Sequence, residues 1–541
     1  MKDFSNIQPD KEQHSSINFL WLLLGCIFLL FMGGKWNLPV TTWIGSIFFL
    51  RYFRKQPGLL GIVLALPFIL VASHIYFIGL AEQVDQGFKV LIATAFTLYI
   101  IIPCLIDRFL YRKINNQLLS TMVYPASLIV IQFLLSFVEQ LGTILHWTGS
   151  MFSLKPLIQL VSITGIWGPS FLVGWLASII NLLWEEKSDL RNAKLPVAVF
   201  SGLFLAIILW GSIRLAFFSP DSETVKVGSV VSGFEEDNMF YAYEDDMTET
   251  EKNREKEKYR ALTYKVQDEL FASSENLIPS GIRILSWASG NAVVFAEDEA
   301  ALIYRMQNFA RENQIYFFPS LLVLGDYKGP DQNHVLAIRP DGKIEYDHYK
   351  GRNPNASFYR GNQIEIIDTP YGRIASPICF EMEFHRFIRQ AGKKGVDILL
   401  VPGDEPARGA ANIHTELSMF RAIENGCSML RTTLEGLTMG ADCQGRVLSQ
   451  LDFYKTLKNR TIITELPVKG VKTIYSRAGD WFAWLCVILL VFLISSVSFN
   501  ICPKEIGHKH IRSIQIQFIS RQMSFTIIFM VFISIILWEQ C

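Results

Sequence analysis

The sequence has 541 residues and a formal net charge of zero, and half of its residues are hydrophobic. Only 18% are charged, whereas a typical soluble domain carries about 25% charged residues. The balanced charge gives no reason to expect a nucleic-acid partner, and the apolar excess predicts a membrane protein. The eight cysteines show no CxxC spacing, so no metal site is expected. A disulfide framework is not expected either, because four cysteines lie in or beside apolar runs: Cys26, Cys104, Cys486 and Cys502.

Long apolar runs dominate residues 1–218, which we predict to form an N-terminal membrane domain. A helix needs about 20 apolar residues to cross a bilayer, and the runs predict about seven transmembrane helices. They lie near 17–34, 38–52, 57–80, 88–106, 119–141, 156–184 and 196–218. The first run has no small-residue cleavage site, so we interpret it as a retained span and not as a signal peptide.

Residues 219–478 have the pattern of a water-soluble domain. Short strand-like runs such as "TVKVGSVVS", "GIRILSWAS" and "VDILLVP" alternate with helix-like segments such as "NIHTELSMFRAIENG". This alternation predicts a layered α/β domain, and "RPDGKI" and "DCQGRV" predict tight hairpin turns. Residues 479–541 predict a C-terminal transmembrane helix near 481–501 and an additional, shorter one near 522–538.

Basic residues in the short loops predict the orientation of the chain. The loops "RYFRKQ", "DRFLYRKINNQ", "WEEKSDLRNAK" and "CPKEIGHKHIRS" each carry at least three Lys or Arg, while the loops on the other side carry one each. Basic loops stay in the cytoplasm. Seven spans then place the soluble domain outside the cytoplasm.

Two segments of the soluble domain contain candidate site residues. Cys379 lies in "RIASPICFEMEF", where it could be either a buried core thiol or a nucleophile. Lys350 lies in "YDHYKGRNP", where it could be either a solvated loop lysine or a site residue. These segments resemble the cysteine-bearing and lysine-bearing segments of the carbon-nitrogen hydrolase, or nitrilase, superfamily. With seven spans before the domain and one after it, the chain resembles the apolipoprotein N-acyltransferase branch, and "TGIWGPSFL" and "SRAGDWFAW" also fit.

The resemblance implies an αββα sandwich for the soluble domain and a Glu-Lys-Cys catalytic triad without metal or cofactor. Cys379 takes the place of the nucleophile and Lys350 that of the cation that stabilises the thiolate and the oxyanion. A thiolate attacks an acyl carbonyl far better than a thiol, and a nearby ammonium favours the thiolate. Glu381 matches the family's acid two residues after the nucleophile, and we expect it to orient the cysteine turn.

The third triad position departs from the family pattern. The family carries its base in a Trp-Pro-Glu segment, and the matching stretch here is "ILSWASGNAVV". Trp287 is kept, Ala288 replaces Pro, and Ser289 stands where the Glu belongs. A serine hydroxyl cannot act as a general base near neutral pH. The nearest acids, at 297–299, are interpreted as residues that complement the dipole of a helix N-terminus.

The resemblance implies a multi-pass protein of the bacterial inner membrane with a periplasmic soluble domain. Its reaction would move an acyl chain from a phospholipid to Cys379 as a thioester, and then to the N-terminal amine of a lipoprotein. Without the Glu, this enzyme would be impaired. Two alternatives remain open: a non-catalytic homologue that binds lipid or lipoprotein, and a membrane-tethered amidase or acyltransferase with another acceptor.

Overall fold

The computed structural model describes most of the chain up to residue 500. The described residues are 10–33, 36–56, 59–78, 86–138, 141–144, 146, 150–186, 190–218, 220, 222–232, 247–324, 332–351, 363–405, 411–454 and 460–500. Contacts divide the chain into residues 1–490 and residues 491–541. In the second unit, residues 491–500 continue a helix that begins at Trp481. The predicted span near 522–538 lies outside the described residues.

Apolar helices make up the N-terminal part, as the long hydrophobic runs predict. They are α1 (Asp10–Leu29), α2 (Pro39–Lys55), α3 (Leu59–Ile78), α4 (Gln86–Leu110), α5 (Gln117–Thr121), α6 (Val123–Leu135), α7 (Lys155–Ile158), α8 (Val161–Thr164), α9 (Trp167–Glu185) and α10 (Lys194–Phe217). Each of the seven predicted spans overlaps one of these helices. The sixth predicted span covers two short helices, α7 and α8, before it reaches α9.

Several of these helices have the length and composition of a membrane span. Within the described ranges, five stretches are long and apolar enough to cross a bilayer: Gly61–Ile78, Gln86–Lys113, Gln117–Leu135, Trp167–Glu185 and Lys194–Phe217. Shorter apolar stretches lie at Ile17–Leu29 and Trp481–Val497. The N-terminal region is therefore a membrane domain of several long apolar helices.

One buried ion pair joins three helices of this domain. Arg54 near the end of α2 donates to both carboxylate oxygens of Asp107 on α4, from Nε at 2.7 Å and from Nη2 at 2.9 Å. The same Nη2 also donates to Ser178 Oγ on α9 at 3.1 Å. Two charges buried away from water cost several kcal/mol each, so only such a two-bond geometry holds them favourably.

The soluble region contains two β-sheets. The strands are β1 (Thr224–Val230), β2 (Ile284–Trp287), β3 (Ala292–Phe295), β4 (Tyr316–Phe318), β5 (Ser320–Leu324), β6 (Gln332–Ile338), β7 (Ile344–Tyr349), β8 (Ile367–Thr369), β9 (Gly372–Ala375), β10 (Ile398–Gly403), β11 (Ser428–Thr433), β12 (Leu437–Ala441), β13 (Val447–Asp452) and β14 (Thr461–Pro467). The first sheet has the order β14-β1-β2-β4-β6-β5-β3, with β7 also paired to β6. The second has the order β13-β12-β11-β10-β9-β8.

Further helices lie between these strands and after the last of them. They are α11 (Glu249–Glu275), α12 (Ala296–Asn313), α13 (His385–Lys394), α14 (Ala411–Asn425), α15 (Ile474–Ala478) and α16 (Trp481–Asn500). Helices α11 and α12 pack on the first sheet, α14 packs on the second, and the sheets meet through β2, β10, β11 and β14. The central strands are apolar on both faces because both faces are covered. This arrangement is the predicted αββα sandwich.

Both predicted hairpin turns are confirmed. Residues 339–343 connect the antiparallel strands β6 and β7, and Gly342 takes φ +82° there. Residues 442–446 connect β12 and β13, and Gly445 takes φ +76°. Glycine adopts these positive φ angles without the steric cost that a Cβ adds. The run "QIYFFPSLLVL", which the sequence predicts as one strand, forms two strands, β4 and β5, which Pro319 separates.

A buried carboxylate joins the membrane helices to the soluble domain. Asp480, just before α16, accepts from Trp167 Nε1 of α9 at 2.9 Å and from Tyr475 Oη of α15 at 3.1 Å. His385 Nε2 lies 3.3 Å from its other oxygen. Burial alone would raise the pKa of Asp480, but the His385 and Trp167 groups hold that pKa well below its usual range. The carboxylate is therefore ionised at neutral pH.

A second set of hydrogen bonds also joins the membrane helices to the soluble domain. The backbone N–H of Ile166, between α8 and α9, donates to Glu424 Oε1 at 2.8 Å. Glu424 also pairs with Arg421, whose Nη2 donates to Thr143 Oγ1 at 3.1 Å. Thr143 follows α6 and donates from its backbone N–H and its hydroxyl to the carbonyl of Glu383, at 3.1 and 2.9 Å. We call Thr143, Glu383, Glu424 and Asp480 with their partners the domain junction.

Replacing Asp480 tests how far the protein depends on this junction. Asp480→Ala leaves the His385 side chain and the Trp167 N–H buried without their acceptor, so we expect a loss of about 3–5 kcal/mol in the free energy of unfolding. The measurement is denaturation of the purified protein in detergent. Asp268→Ala is the matched control, because its pair with Arg305 is exposed and should contribute at most about 1 kcal/mol. Equal losses in the two variants would contradict this role of Asp480.

Candidate active site

Cys379 lies at the start of a tight turn directly after β9. The turn Cys379–Glu383 is a single 3₁₀ segment, and Cys379 opens it with φ +49°. A positive φ is uncommon for a residue other than glycine, and such strain is concentrated at functional sites. The side chain is mostly buried, with 8% of its surface exposed, and Sγ lies 3.6 Å from the carbonyl oxygen of Asp404. This geometry favours the nucleophile over the ordinary core thiol.

The other cysteines of the soluble domain differ from Cys379. Cys427 and Cys443 are fully buried. Burial raises the pKa of Cys427 well above its usual range, and burial with the nearby Asp442 carboxylate raises the pKa of Cys443 to about 12. Both thiols therefore stay protonated and inert at neutral pH.

Glu381 fixes this turn to the end of strand β7. Its carboxylate accepts from the backbone N–H of Ile378 at 2.7 Å and of Gly351 at 2.9 Å, and from His348 Nε2 at 2.9 Å. Lys350 lies between His348 and Gly351, so this carboxylate brings the lysine segment and the cysteine turn together. These three bonds hold the cysteine turn against the lysine segment, and the orienting role of Glu381 stays a prediction.

The charges of this pair support each other. Burial disfavours the ionised form of Glu381, but His348 and the two backbone N–H groups hold its pKa below the usual value. Burial likewise disfavours the imidazolium of His348, but the Glu381 and Glu365 carboxylates raise its pKa to about 10. The site therefore contains a buried ion pair at neutral pH.

Ser289 lies at the same edge of the first sheet as the lysine segment. It follows β2, is 2% exposed, and its backbone N–H donates to the carbonyl of Gly403 at 3.2 Å. Asn333 Nδ2 donates to Ser289 Oγ at 3.1 Å, and the carbonyl of Asn333 accepts from the backbone N–H of Lys350 at 2.8 Å. Strands β2, β6 and β7 thus bring Ser289 and Lys350 to one edge of the first sheet. Cys379 faces this edge from the second sheet through the Gly403–Asp404 segment.

The acids at 297–299 lie in the first turn of α12 and point to other partners. Glu297 pairs with Lys256 at 2.8 Å and Asp298 with Arg260 at 2.7 Å, and both cations lie on α11. Glu299 lies 3.5 Å from His334 Nε2. Each acid is therefore engaged in holding α12 in place, and the structure does not bring these acids to the cysteine turn.

Three charged residues near Cys379 were missed in the sequence. Glu405 follows β10 and accepts from His414 Nδ1 at 2.8 Å and from Arg431 Nη2. Arg431 also donates from Nη1 to the carbonyl of Cys379 at 3.5 Å and to Ser418 Oγ at 2.9 Å. Burial works against ionisation of Glu405, but His414 and Arg431 hold its pKa below the usual value. An arginine within the apolar strand "CSMLRTT" is the feature that could have indicated this group.

The described ranges contain no group of three or more histidine, cysteine or carboxylate side chains arranged to hold a metal ion. The groups gathered at this edge are the Cys379 thiol, the lysine segment, Arg431 and the carboxylates of Glu381 and Glu405. Such a set is suited to nucleophilic attack on an acyl carbonyl.

The His348–Glu381 pair predicts how stability depends on pH. The pKa of His348 is higher in the folded protein than in the unfolded chain, where it is about 6.5. The contribution of His348 to the free energy of unfolding is complete below about pH 6.5 and is lost as the pH rises through about 10. The free energy of unfolding should therefore fall across this window. His348→Gln should flatten that dependence, and denaturant titrations of both proteins at several pH values measure it. Parallel profiles would contradict the assignment.

Comparison with known proteins agrees with this geometry. Residues 264–475 match the model of the carbon-nitrogen hydrolase family. Apolipoprotein N-acyltransferase 1 of Treponema denticola is 25% identical over 404 residues, which are 64% of this chain and 71% of that protein. The apolipoprotein N-acyltransferase of Geobacter metallireducens is 24% identical over 361 residues, 61% of this chain and 65% of that protein. The chain thus spans about two thirds of the length of these relatives.

Solved structures that are similar to part of this chain include an amidase and a nitrilase-superfamily protein. An amidase from Nesterenkonia is 16% identical, covers 49% of this chain and 97% of its own, and superposes with a TM-score of 0.36. A branch 10 nitrilase-superfamily protein of Saccharomyces cerevisiae is also 16% identical, covers 47% and 93%, and gives a TM-score of 0.36. The sequence relatives, the matched family model and the membrane helices together support the apolipoprotein N-acyltransferase family for this chain.

Proposed function

We propose that the protein is a membrane N-acyltransferase that transfers an acyl chain from a phospholipid to the N-terminal amine of a lipoprotein. The observation that carries this proposal is the turn at Cys379, which has a positive φ and is bonded through Glu381 to both sides of Lys350. A thiol held in a strained turn beside a lysine segment is arranged for attack on an ester carbonyl. The relatives named above bear the name of this activity.

The reaction has two steps at the same sulfur. In the first, Sγ of Cys379 bonds to the acyl carbon as the ester C–O bond breaks, and the thiol proton passes to the departing alcohol of the lysophospholipid. In the second, the amine nitrogen bonds to the acyl carbon, the C–S bond breaks, and the proton that the amine loses passes to the sulfur. Lys350 would favour the thiolate and the oxyanion of each tetrahedral intermediate by its positive charge. Glu381 would keep the turn in register.

The proposed setting is the bacterial inner membrane, with residues 1–218 as a multi-pass domain and residues 219–478 on the periplasmic side. The basic loops support this orientation because they carry the cytoplasmic excess of Lys and Arg. The domain junction supports the lipid substrate, since Glu383 in the cysteine turn is bonded to Thr143 after α6. Cys379 and Glu383 belong to the same five-residue turn, so the proposed nucleophile lies close to a contact with the membrane helices.

Ser289 favours a second candidate, a non-catalytic homologue that binds lipid or lipoprotein. Its hydroxyl accepts a hydrogen bond from Asn333 and cannot take a proton from a thiol near neutral pH. Loss of a general base typically lowers a rate by about 10²–10⁴-fold. The two candidates differ in one outcome, since only the enzyme forms a thioester on Cys379.

Acylation of Cys379 is the direct test of the enzyme. The full-length protein in detergent, incubated with phosphatidylethanolamine, should gain the mass of one acyl chain, and hydroxylamine should remove it. Cys379→Ala should gain none, and Lys350→Ala should slow the gain by about 10²-fold because the thiolate and oxyanion lose their cation. Lys343→Ala is the matched control, since that side chain is exposed. A wild-type protein that gains no mass would overturn the enzyme and leave the binding homologue.

A matched pair of new cysteines tests the orientation. In a Cys379→Ala background, Lys343→Cys lies on the soluble domain and Asn192→Cys lies in the loop before α10, and both positions are exposed. In intact spheroplasts a membrane-impermeant maleimide should label the first and spare the second. Lysis should make the second reactive. The reverse pattern would contradict a periplasmic soluble domain.

A further inference from the structure

Arg431 on β11 contacts the main chain of Cys379. Its side chain is buried, with 1% of its surface exposed. Nη1 donates to the carbonyl oxygen of Cys379 at 3.5 Å and to Ser418 Oγ at 2.9 Å, and Nη2 donates to Oε1 of Glu405. One guanidinium therefore joins the cysteine turn, helix α14 and the segment after β10.

The thiol of Cys379 lies against the same segment as this guanidinium. Sγ lies 3.6 Å from the carbonyl oxygen of Asp404. A Cβ atom at Gly403, the preceding residue, would lie 3.1 Å from Nε and 3.2 Å from Cζ of Arg431, so the guanidinium packs on the main chain there. The following residue, Glu405, accepts from Nη2. Three consecutive residues after β10 thus contact both the thiol and the cation.

The bonds of Arg431 differ from those of an arginine that only balances a buried acid. Arg54 donates from Nε and Nη2 to the two oxygens of Asp107, the two-bond geometry that binds a carboxylate most strongly. Arg431 gives only Nη2 to Glu405, and Nη1 is turned to the cysteine turn and α14. In the part of the chain that the structure describes, its buried Nε has no hydrogen-bond partner. A buried N–H without a partner is costly, so this orientation serves more than the ion pair.

The charge of Arg431 is permanent. Burial alone would lower the pKa of Arg431, but the Glu405 carboxylate, the Cys379 thiolate and the Glu383 carboxylate raise it. The other oxygen of Glu405 lies 2.8 Å from His414 Nδ1, and this carboxylate raises the pKa of His414 against the effect of burial. The guanidinium thus stays ionised at neutral pH with two carboxylates, one imidazole and the thiol around it.

We propose that Arg431 is a positioning residue of the acyl transfer, which holds the main chain of Cys379 by its carbonyl and favours the thiolate by its fixed charge. This inference rests on the proposed function. Because Ser289 cannot take the thiol proton, the rate of attack depends on the fraction of thiol that is already ionised. Arg431 exchanges no proton, and the proton that the thiol releases still neutralises the departing alcohol.

The first test needs no acyl donor. Alkylation of Cys379 by iodoacetamide against pH, read by mass spectrometry on the full-length protein in detergent, reports the thiolate. Arg431→Gln/Glu405→Gln removes both charges of the pair, so neither is left buried alone. It should raise the midpoint by about one pH unit, because the guanidinium, and not the carboxylate, contacts Cys379.

The matched control for this double variant is Arg54→Gln/Asp107→Asn, which removes an equally buried arginine–carboxylate pair between membrane helices. It should leave the alkylation midpoint of Cys379 unchanged. Thermal unfolding of both variants shows that each is folded under the conditions of alkylation. An Arg431→Gln/Glu405→Gln midpoint equal to that of the wild type would overturn the proposal.

The second test measures acylation of Cys379 by phosphatidylethanolamine. At neutral pH the double variant should be slowed about tenfold, the factor that corresponds to one pH unit, and the rate should recover as the pH rises past its alkylation midpoint. Arg431→Lys should be slowed less than the double variant, since lysine keeps the charge but lacks the planar fork that reaches several acceptors. A purely structural role would not give this recovery with pH.

The outcomes separate the two proposals. A variant that stays slow at every pH, while the wild type forms the thioester, would overturn the role of Arg431 and leave the proposed function standing. A wild-type protein that is never acylated would overturn the proposed function and this role with it, whatever the alkylation curves show.

Discussion

The buried carboxylate of Glu381 is the constraint on which the site depends. It accepts hydrogen bonds from the turn that contains it, at Ile378, and from both flanks of Lys350, at His348 and Gly351. Cys379 is held at φ +49°, a conformation that costs of order 1–3 kcal/mol and persists only where surrounding contacts determine it. Three bonds to one charged acceptor are such contacts. The same carboxylate thus stabilises the strained turn and sets its distance from the lysine strand.

The cysteine turn is bonded to the membrane domain as well as to the sheet. Its last residue, Glu383, accepts from Thr143 after α6, while Glu381 within it binds the end of β7. The five-residue turn from Cys379 to Glu383 therefore connects the thiol to the membrane helices. In the proposed reaction this linkage is useful, because it holds the Cys379 sulfur at a fixed height relative to the helices. Asp480 and Glu424 stabilise the same boundary from α16 and α14.

Much of this fold can be predicted from the sequence, for physical reasons. Apolar runs must form helices in a membrane, because every backbone polar group there needs an internal partner. Covered strands such as "VDILLVP" are apolar throughout, and the glycines of "RPDGKI" and "DCQGRV" mark turns that need a positive φ. The short strands are harder to predict, since β3, β4 and β8 have three or four residues each and depend on their neighbours for pairing.

Prediction of the site was uneven for a similar reason. Cys379, Lys350 and Ser289 were singled out because each lies in a segment with recognisable flanking residues, and these three segments lie together in the structure. Arg431 and Glu405 were missed, because their pairing joins residues that are 26 positions apart. A buried charge is tolerable only with its partner, and the partner is visible only in three dimensions.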